Sequence, residues 1–405
     1  MVPEGWKKVP LETIAEVRSG VAKGKSGLKD PITVQYLRVA NVQDGHINLN
    51  DVKDIQIERH QLERYSLKFG DVLMNEGGDF DKLGRGDVWQ AQIKPCLHQN
   101  HVFAVRPIPQ EMDSFYLAAL AASSYGKKYF LSCAKRSTNL ASINSTQLKE
   151  FPVLVPPLPE QKKIAKILSV WEKAIATSEQ LLVNRQQQKK ALMQQLLTGK
   201  RRFMGFKEQW RKIKLAAVAD MNSGGTPSSS IEEYYNGGIP WVSIADMTSR
   251  GKWISSTDKT LSQKGLENSS ARLYPENTVL YAMYASIGEC SIARVPLCSS
   301  QAILGIRPNK ELHYEYLYFF LSFLKDKVKL QGQQGTQSNL NAGMVRDFII
   351  FLPSIEEQKI ISSLLNLADQ EIEILKQKLN RLEQEKKALM QQLLTGKRRV
   401  KVEGV

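Results

Sequence analysis

No stretch of this 405-residue sequence approaches 18 uninterrupted apolar residues, the length a helix needs to cross a bilayer. Its opening, Met1-Val2-Pro3-Glu4-Gly5-Trp6-Lys7-Lys8, holds no apolar run of the kind that begins a secretory signal. A cytosolic protein with no membrane association is expected. Cysteine is scarce as well: Cys96, Cys133, Cys290 and Cys298 are the only four, with no Cys-x-x-Cys pair. That excludes a zinc ribbon and a disulfide framework, leaving reduced, mostly buried thiols. Acidic residues run short of basic ones, 41 against 56, for a net charge of +15. So large an excess is a physical argument for a polyanionic partner, of which nucleic acid is one and an acidic membrane surface another. With 42% hydrophobic residues the chain can still bury real cores, and its length suits two large domains or three ordinary ones.

What is present is written twice. Fourteen residues, Lys189-Lys190-Ala191-Leu192-Met193-Gln194-Gln195-Leu196-Leu197-Thr198-Gly199-Lys200-Arg201-Arg202, recur unchanged from Lys386 to Arg399, so an internal repeat precedes any other reading. The same offset of 197 carries Glu160-Gln161-Lys162 onto Glu357-Gln358-Lys359, Pro156 onto Pro353, Phe151 onto Phe348 and Asn144 onto Asn341. Upstream the likeness weakens. Trp6-Lys7-Lys8-Val9-Pro10-Leu11 resembles Trp210-Arg211-Lys212-Ile213-Lys214-Leu215, and Gly70-Asp71-Val72-Leu73 resembles Asn277-Thr278-Val279-Leu280. Each half is a variable segment followed by a nearly constant one.

The constant segments read as long helices. Each starts after prolines (Pro156, Pro157 and Pro159; Pro353), opens with an acidic turn and runs about 40 residues to Gly199 or Gly396. Lys200-Arg201-Arg202 and Lys397-Arg398-Arg399 then place cations at the negative end of the helix dipole. Alternate steps of four and three pass through Ile164, Leu168, Trp171, Ile175, Ser178, Leu182, Arg185, Lys189, Leu192 and Leu196. In the second copy they pass through Ile361, Leu365, Ala368, Ile372, Leu375, Leu379, Leu382, Lys386, Leu389 and Leu393. Such spacing over about five heptads is the signature of a coiled coil. An isolated heptad run is most simply a zipper between chains. Identical repetition after two unlike domains points instead to two helices packed on each other, antiparallel because a whole globular segment returns between them.

The variable segments mix strands with helices. Val34 to Val42, Val72 to Met74 and Thr278 to Tyr284 read as strands, Phe115 to Cys133 and Leu312 to Leu330 as helices. The expected fold class is mixed α/β (α+β), divided as residues 1–155, a helix at 156–202, residues 203–352 and a helix at 353–400.

The chemistry of catalysis is missing. Gly20-Val21-Ala22-Lys23-Gly24-Lys25-Ser26 has three residues between its glycines where a phosphate loop needs four. Cys96, His98 and His101 lack a fourth ligand at a usable spacing. Asp79, Asp81 and Lys82 are too compressed for a nuclease site and have no counterpart in the second half. No cofactor loop, adenine-holding motif or serine triad occurs. No catalytic residue, metal ligand or cofactor is therefore expected in this chain. Recognition chemistry remains. A polar loop precedes each proline-led helix: Lys135-Arg136-Ser137-Thr138-Asn139 in one half, Gln333-Gln334-Gly335-Thr336-Gln337-Ser338-Asn339 in the other. Amide side chains suit adenine edges and arginine suits guanine. Candidate phosphate contacts are Lys23, Lys25, Arg85, Lys127, Lys128, Arg250, Lys252 and Arg272.

Taken together, an α/β segment, the helix from Pro156-Pro157-Leu158-Pro159-Glu160-Gln161 to Leu197-Thr198-Gly199-Lys200, and a second pair of the same kind resemble the specificity subunit of type I restriction-modification enzymes. The Ser223-Gly224-Gly225-Thr226-Pro227 loop, Ser300-Gln301-Ala302 and Gly335 to Asn341 are similar to the family too. The first half departs from it with Val21-Ala22-Lys23 in the first loop and Asn100-His101 near the Gln-Ala position. The resemblance implies two target recognition domains, each reading half of a split site on double-stranded DNA, joined by antiparallel helices. It also implies docking of two modification subunits, which bring S-adenosylmethionine and methylate adenine, and of restriction subunits, which use ATP and Mg²⁺. A different reading of the same residues is a coiled-coil scaffold or adaptor whose basic surface is incidental. A third, a stand-alone methyltransferase or nuclease, is opposed by the missing motifs.

Overall fold

In a computed structural model of the chain, the described residues are all except 1, 24–26, 79, 81–82, 137–140, 334–339 and 403–405, with the backbone alone at 136 and 329–333. The chain forms two compact units: residues 1–179 with 377–405, and residues 180–376. These divisions fall inside the long helices, because each helix packs part of its length into each unit.

The first unit is built on a four-stranded antiparallel sheet in the order Ala15–Ser19, Val102–Pro107, Val72–Asn75, Gly86–Val88. Beside it lies a three-stranded sheet of Cys96–His98, Pro31–Leu37 and Lys53–Glu58. The strand expected over residues 34–42 ends at Leu37, since Asn41 turns the chain by accepting from Arg38 N–H (2.9 Å) and donating to Asn48 O (2.9 Å). The helix expected over residues 115–133 is two helices, Ser114–Ala122 and Ser124–Cys133. Ser123 breaks it: its backbone is extended, and its Oγ accepts from Gly126 N–H at 3.4 Å, capping the second helix. Gly126 is required there, as a Cβ would lie 2.2 Å from Ala121 O.

The second unit repeats the plan with five strands, Ala219–Ser223, Ile303–Pro308, Val279–Ala282, Cys290–Ala293 and Trp253–Ile254. A three-stranded sheet of Lys259–Leu261, Tyr235–Val242 and Cys298–Ser299 accompanies it. Its helix, Tyr314–Gln333, is unbroken.

In both units an antiparallel strand pair stitches the entry of the domain to its exit: Lys7–Pro10 with Pro152–Val155, and Arg211–Lys214 with Ile349–Leu352. The long helices follow at once, Leu158–Leu197 with 40 residues and Ile355–Leu393 with 39. Gly199 and Gly396 stand just beyond them at φ 71° and 67°, the left-handed conformation that closes a helix at little cost for glycine alone. Within each unit the two helix segments run antiparallel. In the first, Lys386 pairs with Glu172 at 3.1 Å and Leu393 and Leu394 join the core of Ile164 and Leu168. In the second, Arg185 lies 3.7 Å from Glu371, Lys189 pairs with Asp369, and Leu196 and Leu197 join Ile361 and Leu365.

Heptad positions explain the burial pattern. Ile164, Leu168, Leu196, Ile361, Leu365, Ile372 and Leu393 are buried, whereas Trp171, Ile175, Leu182, Leu192, Leu375, Leu379, Leu382 and Leu389 are half-buried. The seam is driest where a domain covers it.

Candidate nucleic-acid interface

Four loops converge in the first unit. The loop after Ala15–Ser19 is held by Val21 N–H donating to His98 O (2.8 Å) and Asn100 N–H donating to Val21 O (3.0 Å). The turn after Val72–Asn75 is held by Glu76 N–H on His101 O (3.0 Å), and Ile143 N–H on Glu76 O (2.9 Å) brings in the loop that precedes the long helix. That loop rises from a small sheet in which Lys135–Arg136 pairs with Ala141–Ser142, and the latter with Gly77–Gly78. Asn144 ends it by capping Ser145–Lys149, its Oδ1 accepting from Gln147 N–H at 2.8 Å.

The second unit converges by the same bonds. Gly225 N–H donates to Ser299 O (2.9 Å), Met283 N–H to Ala302 O (2.9 Å) and Leu340 N–H to Met283 O (3.2 Å). Asn341 caps Ala342–Arg346 through Met344 N–H at 3.0 Å. Gly20 and Gly224 occupy matching places, where a Cβ would stand 2.1 Å from His98 O and 2.2 Å from Ser299 O. Close backbone approach, not phosphate binding, explains the glycine of the phosphate-loop look-alike. The strand before it lies at a sheet edge, and the next element is the strand Pro31–Leu37.

The side chains on these edges differ. His101 Nδ1 lies 2.6 Å from Glu76 Oε2 in the first unit, where the second has Ala302 and Met283. Lys23 is exposed, its ammonium 5.7 Å from the Tyr36 ring centre, and Lys135 is exposed on its strand. Lys25, Ser137, Thr138, Asn139, Gln334, Thr336, Gln337, Ser338 and Asn339 lie outside the described residues, as do Asp79, Asp81 and Lys82. Arg136 and Gln333 are placed by backbone only, at the edges of the polar loops. Arg85 is half-buried, its carbonyl accepting from Asn75 N–H.

Two candidate phosphate contacts are already paired within the second unit. Lys252 sits 3.0 Å from Glu315 and donates to Asn366, with its ammonium 4.4 Å from the Phe319 ring centre. Burial pulls its pKa down and Glu315 pulls it back up, so its charge is already answered inside the unit. Arg250 is likewise committed to Asp258 at 2.7 Å and Asp246 at 3.5 Å.

Sequence reasoning read Glu160 and Glu357 as dipole-favouring first-turn acids. In the fold they are buried clamps. Glu160 accepts from Trp6 Nε1 (3.1 Å) and from Arg399 Nε and Nη2 (2.7 and 2.8 Å). Glu357 accepts from Trp210 Nε1 (3.0 Å) and Arg202 Nε and Nη2 (3.0 and 2.8 Å). Bidentate arginine pairs of this kind fix geometry as well as charge. The arginine after the end of one helix thus grips the start of the other, a role beyond the dipole compensation expected of those cations. Beside each glutamate a wholly buried glutamine brackets the preceding loop. Gln161 takes Asp113 N–H and gives to Glu111 and Pro156 carbonyls. Gln358 does the same with His313, Glu311 and Pro353. The one signal available was the co-occurrence of Trp, Glu-Gln and Arg in both copies.

Burial favours the neutral forms of Cys96, Cys298 and His98. Burial pushes Cys96 up to about 12 and Cys298 up to about 11. It pulls His98 down to about 4, the ring bonded at Nδ1 to Val102 O at 2.7 Å. Among the described residues no three His, Cys, Asp or Glu side chains are grouped to hold a metal ion, and no helix is long and apolar enough to cross a membrane.

Comparison with known proteins gives a consistent result. The profile of a family described as type I restriction modification DNA specificity domain matches residues 3–184 and again 207–384. The putative type I restriction enzyme MjaX specificity subunit of Methanocaldococcus jannaschii is 29% identical over 415 residues, covering 99% of this chain and 95% of that one. The MjaVIII specificity subunit of the same organism is 29% identical over 429 residues, with 99% and 94% covered. Among solved structures, the HsdS subunit of Thermoanaerobacter tengcongensis superposes with a TM-score of 0.52 at 19% identity, covering 98% of each chain. A chain from a type I R-M system reaches 0.63 at 18% identity, covering 97% of this chain and 98% of that one.

Proposed function

The chain belongs to the type I restriction-modification DNA specificity family, and on that premise we propose that its two units read the two unlike halves of one split DNA site. It is the non-catalytic, DNA-recognising subunit of such a system. The observation that carries the two-part reading is the convergence of four loops on matching backbone bonds in both units, with Glu76 and His101 on one edge and Met283 and Ala302 on the other. A common frame with unlike side chains suits two readers of different sequence. The net charge of +15 supports it, since phosphate contacts supply most sequence-independent affinity.

The long helices serve as the docking surface for two modification subunits, which carry S-adenosylmethionine. Restriction subunits with ATP and Mg²⁺ complete the nuclease. The length of the helices sets the spacing of the half-sites.

Mapping methylated adenines across a genome modified by the assembled enzyme tests this directly. A bipartite, asymmetric motif is expected, and a continuous or palindromic one overturns the reading. The purified chain alone is expected to turn over no S-adenosylmethionine. The adaptor reading differs in salt response: affinity for duplex DNA that stays flat as salt rises would favour it, because an adaptor releases no counterions.

A further inference from the structure

The clamps are alike in the two units, but one buried carboxylate of the first has no copy in the second. In the first unit Val72 pairs with Val105. Beside that pair the wholly buried Asp71 accepts from Arg106 Nε and Nη2 and from Lys68 N–H, each at 2.7 Å. In the second unit Val279 pairs with Ile306, so Thr278 and Arg307 stand in those places. Matching backbone bonds fix the register: Trp89 N–H donates to Asp71 O (2.8 Å) and Ala293 N–H to Thr278 O (3.0 Å). Thr278 carries no charge, and Pro275 stands where Lys68 offers its N–H. A second carboxylate is replaced too. Asp113, whose N–H goes to Gln161 and whose Oδ1 caps Tyr116 N–H at 2.9 Å, is matched by His313, whose N–H goes to Gln358. Arg307 turns its Nη2 outward to the exposed Asp220. Its Nε, like His313 Nδ1, is buried and has no hydrogen-bond partner among the described residues. Both side chains line a cavity of about 400 Å³, to which Lys310 and Lys359 add exposed ammonium groups and Glu276 an exposed carboxylate. Glu311, next to Lys310, is taken by Arg211.

We infer that this cavity in the second unit binds a phosphate ion, which supplies to Arg307 and His313 the acceptor oxygens that the first unit draws from its own Asp71. The first unit is the template, for there a carboxylate answers the same arginine from within the chain. In the second unit the lining sets Arg307, Lys310 and Lys359 against Glu276 alone, and cations gathered in a concave surface favour an anion of more than one charge. A buried donor without an acceptor is costly, and the planar fork of arginine suits a phosphate as it suits a carboxylate. Position favours a free ion over a DNA backbone. Thr278 precedes the strand Val279–Ala282 and Met283 follows it, so the cavity lies at the end of that strand opposite the converging loops. The inference therefore goes beyond the DNA reading and does not depend on it. Its consequence is that the second unit draws stability from a ligand where the first is self-sufficient.

The test follows hydrogen exchange of the full chain in sodium phosphate and in sodium chloride of equal ionic strength. At about 10 mM phosphate, exchange at residues 275–279 and 306–314 should slow by roughly tenfold, the factor for a Kd of about 1 mM. The matching segments of the first unit, 68–72 and 105–114, should not change. Thr278→Asp, which restores the first unit's carboxylate, should exchange slowly at those segments without phosphate and gain nothing from adding it. Arg307→Gln introduces no buried charge and should lose the phosphate response while keeping its fold, as a thermal melt in chloride verifies. Slowing of both units alike is a general salt effect on burial and overturns the inference, as does a phosphate response retained in both variants. Protection of the same segments by duplex DNA, lost in Thr278→Asp, would assign the phosphate to a nucleic-acid backbone and overturn the free ion.

Discussion

Glu160 and Glu357 take the same three bonds from the same two residue types, while Glu76 and Met283, at corresponding places on the loop edges, share no chemistry. The two units agree where a buried polar group must be satisfied. They diverge in the side chains on the loop edges. A buried carboxylate tolerates no substitute that leaves an indole N–H and a guanidinium without an acceptor. A loop side chain facing outward carries no such constraint, so recognition can change without disturbing the frame.

The largest expected effect attacks the helices common to both units. Removing two residues from the second helix rotates everything beyond by about 200° and breaks the seam; no complex with a modification subunit should be recovered by gel filtration. Removing residues 376–382 keeps heptad phase and shortens that helix by roughly 10 Å, on the order of three base pairs. That variant should assemble and methylate sites with a shorter spacer. Unchanged spacing would show that the helices dock partners without setting distance.

Next come the clamps, which separate the units. Glu160→Ala should destabilise the first unit by about 3 kcal/mol and Glu357→Ala the second by about as much, because each leaves buried or half-buried donors unanswered. Segment-resolved hydrogen exchange should show each loss confined to its own unit. A loss spread over both would deny their independence.

A comparable effect follows from His98, which is 2% exposed. Its folded pKa, about 4, lies below the ordinary 6.5, so its contribution is complete above pH 6.5 and is lost as pH falls toward 4. The span corresponds to about 3 kcal/mol. Urea unfolding of His98→Asn between pH 7 and 4.5 should flatten that part of the first unit's pH dependence and leave the second unit's unaltered.

The smallest effect distinguishes an exposed lysine from a buried one. Lys23→Ala should lower duplex affinity by less than about 1 kcal/mol and the salt slope by about 1, with the methylated sequence unchanged. Lys252→Ala should leave the slope alone while loosening the second unit, because its ammonium answers Glu315.

Most of the architecture was legible because repetition and period are visible one residue at a time. The 14-residue repeat, the heptads of Ile164 to Leu196 and the glycines at 199 and 396 each announce a helix or its end. Side-chain partners across the fold leave no such trace. That Glu160 is sealed under Arg399 depends on two residues 239 apart, and that Ser123 breaks a helix depends on its extended backbone, whereas serine within a helical run is ordinary. Lys252 and Lys23 look alike on the page and differ only in what packs around them. The loops proposed to carry recognition were legible as polar loops, but which base each side chain meets is not a property of this chain alone.

The clamp on Glu160 also orders events in time. The second unit, residues 180–376, is a single uninterrupted run, while the first needs residues 377–405 to close over Ile164 and Leu168. On a ribosome adding about 5–20 residues per second, those segments are separated by roughly 10–40 s of synthesis. Through that interval the earlier-made unit waits with Trp6, Glu160 and its apolar helix face uncovered, and the later-made unit is the first to be finished.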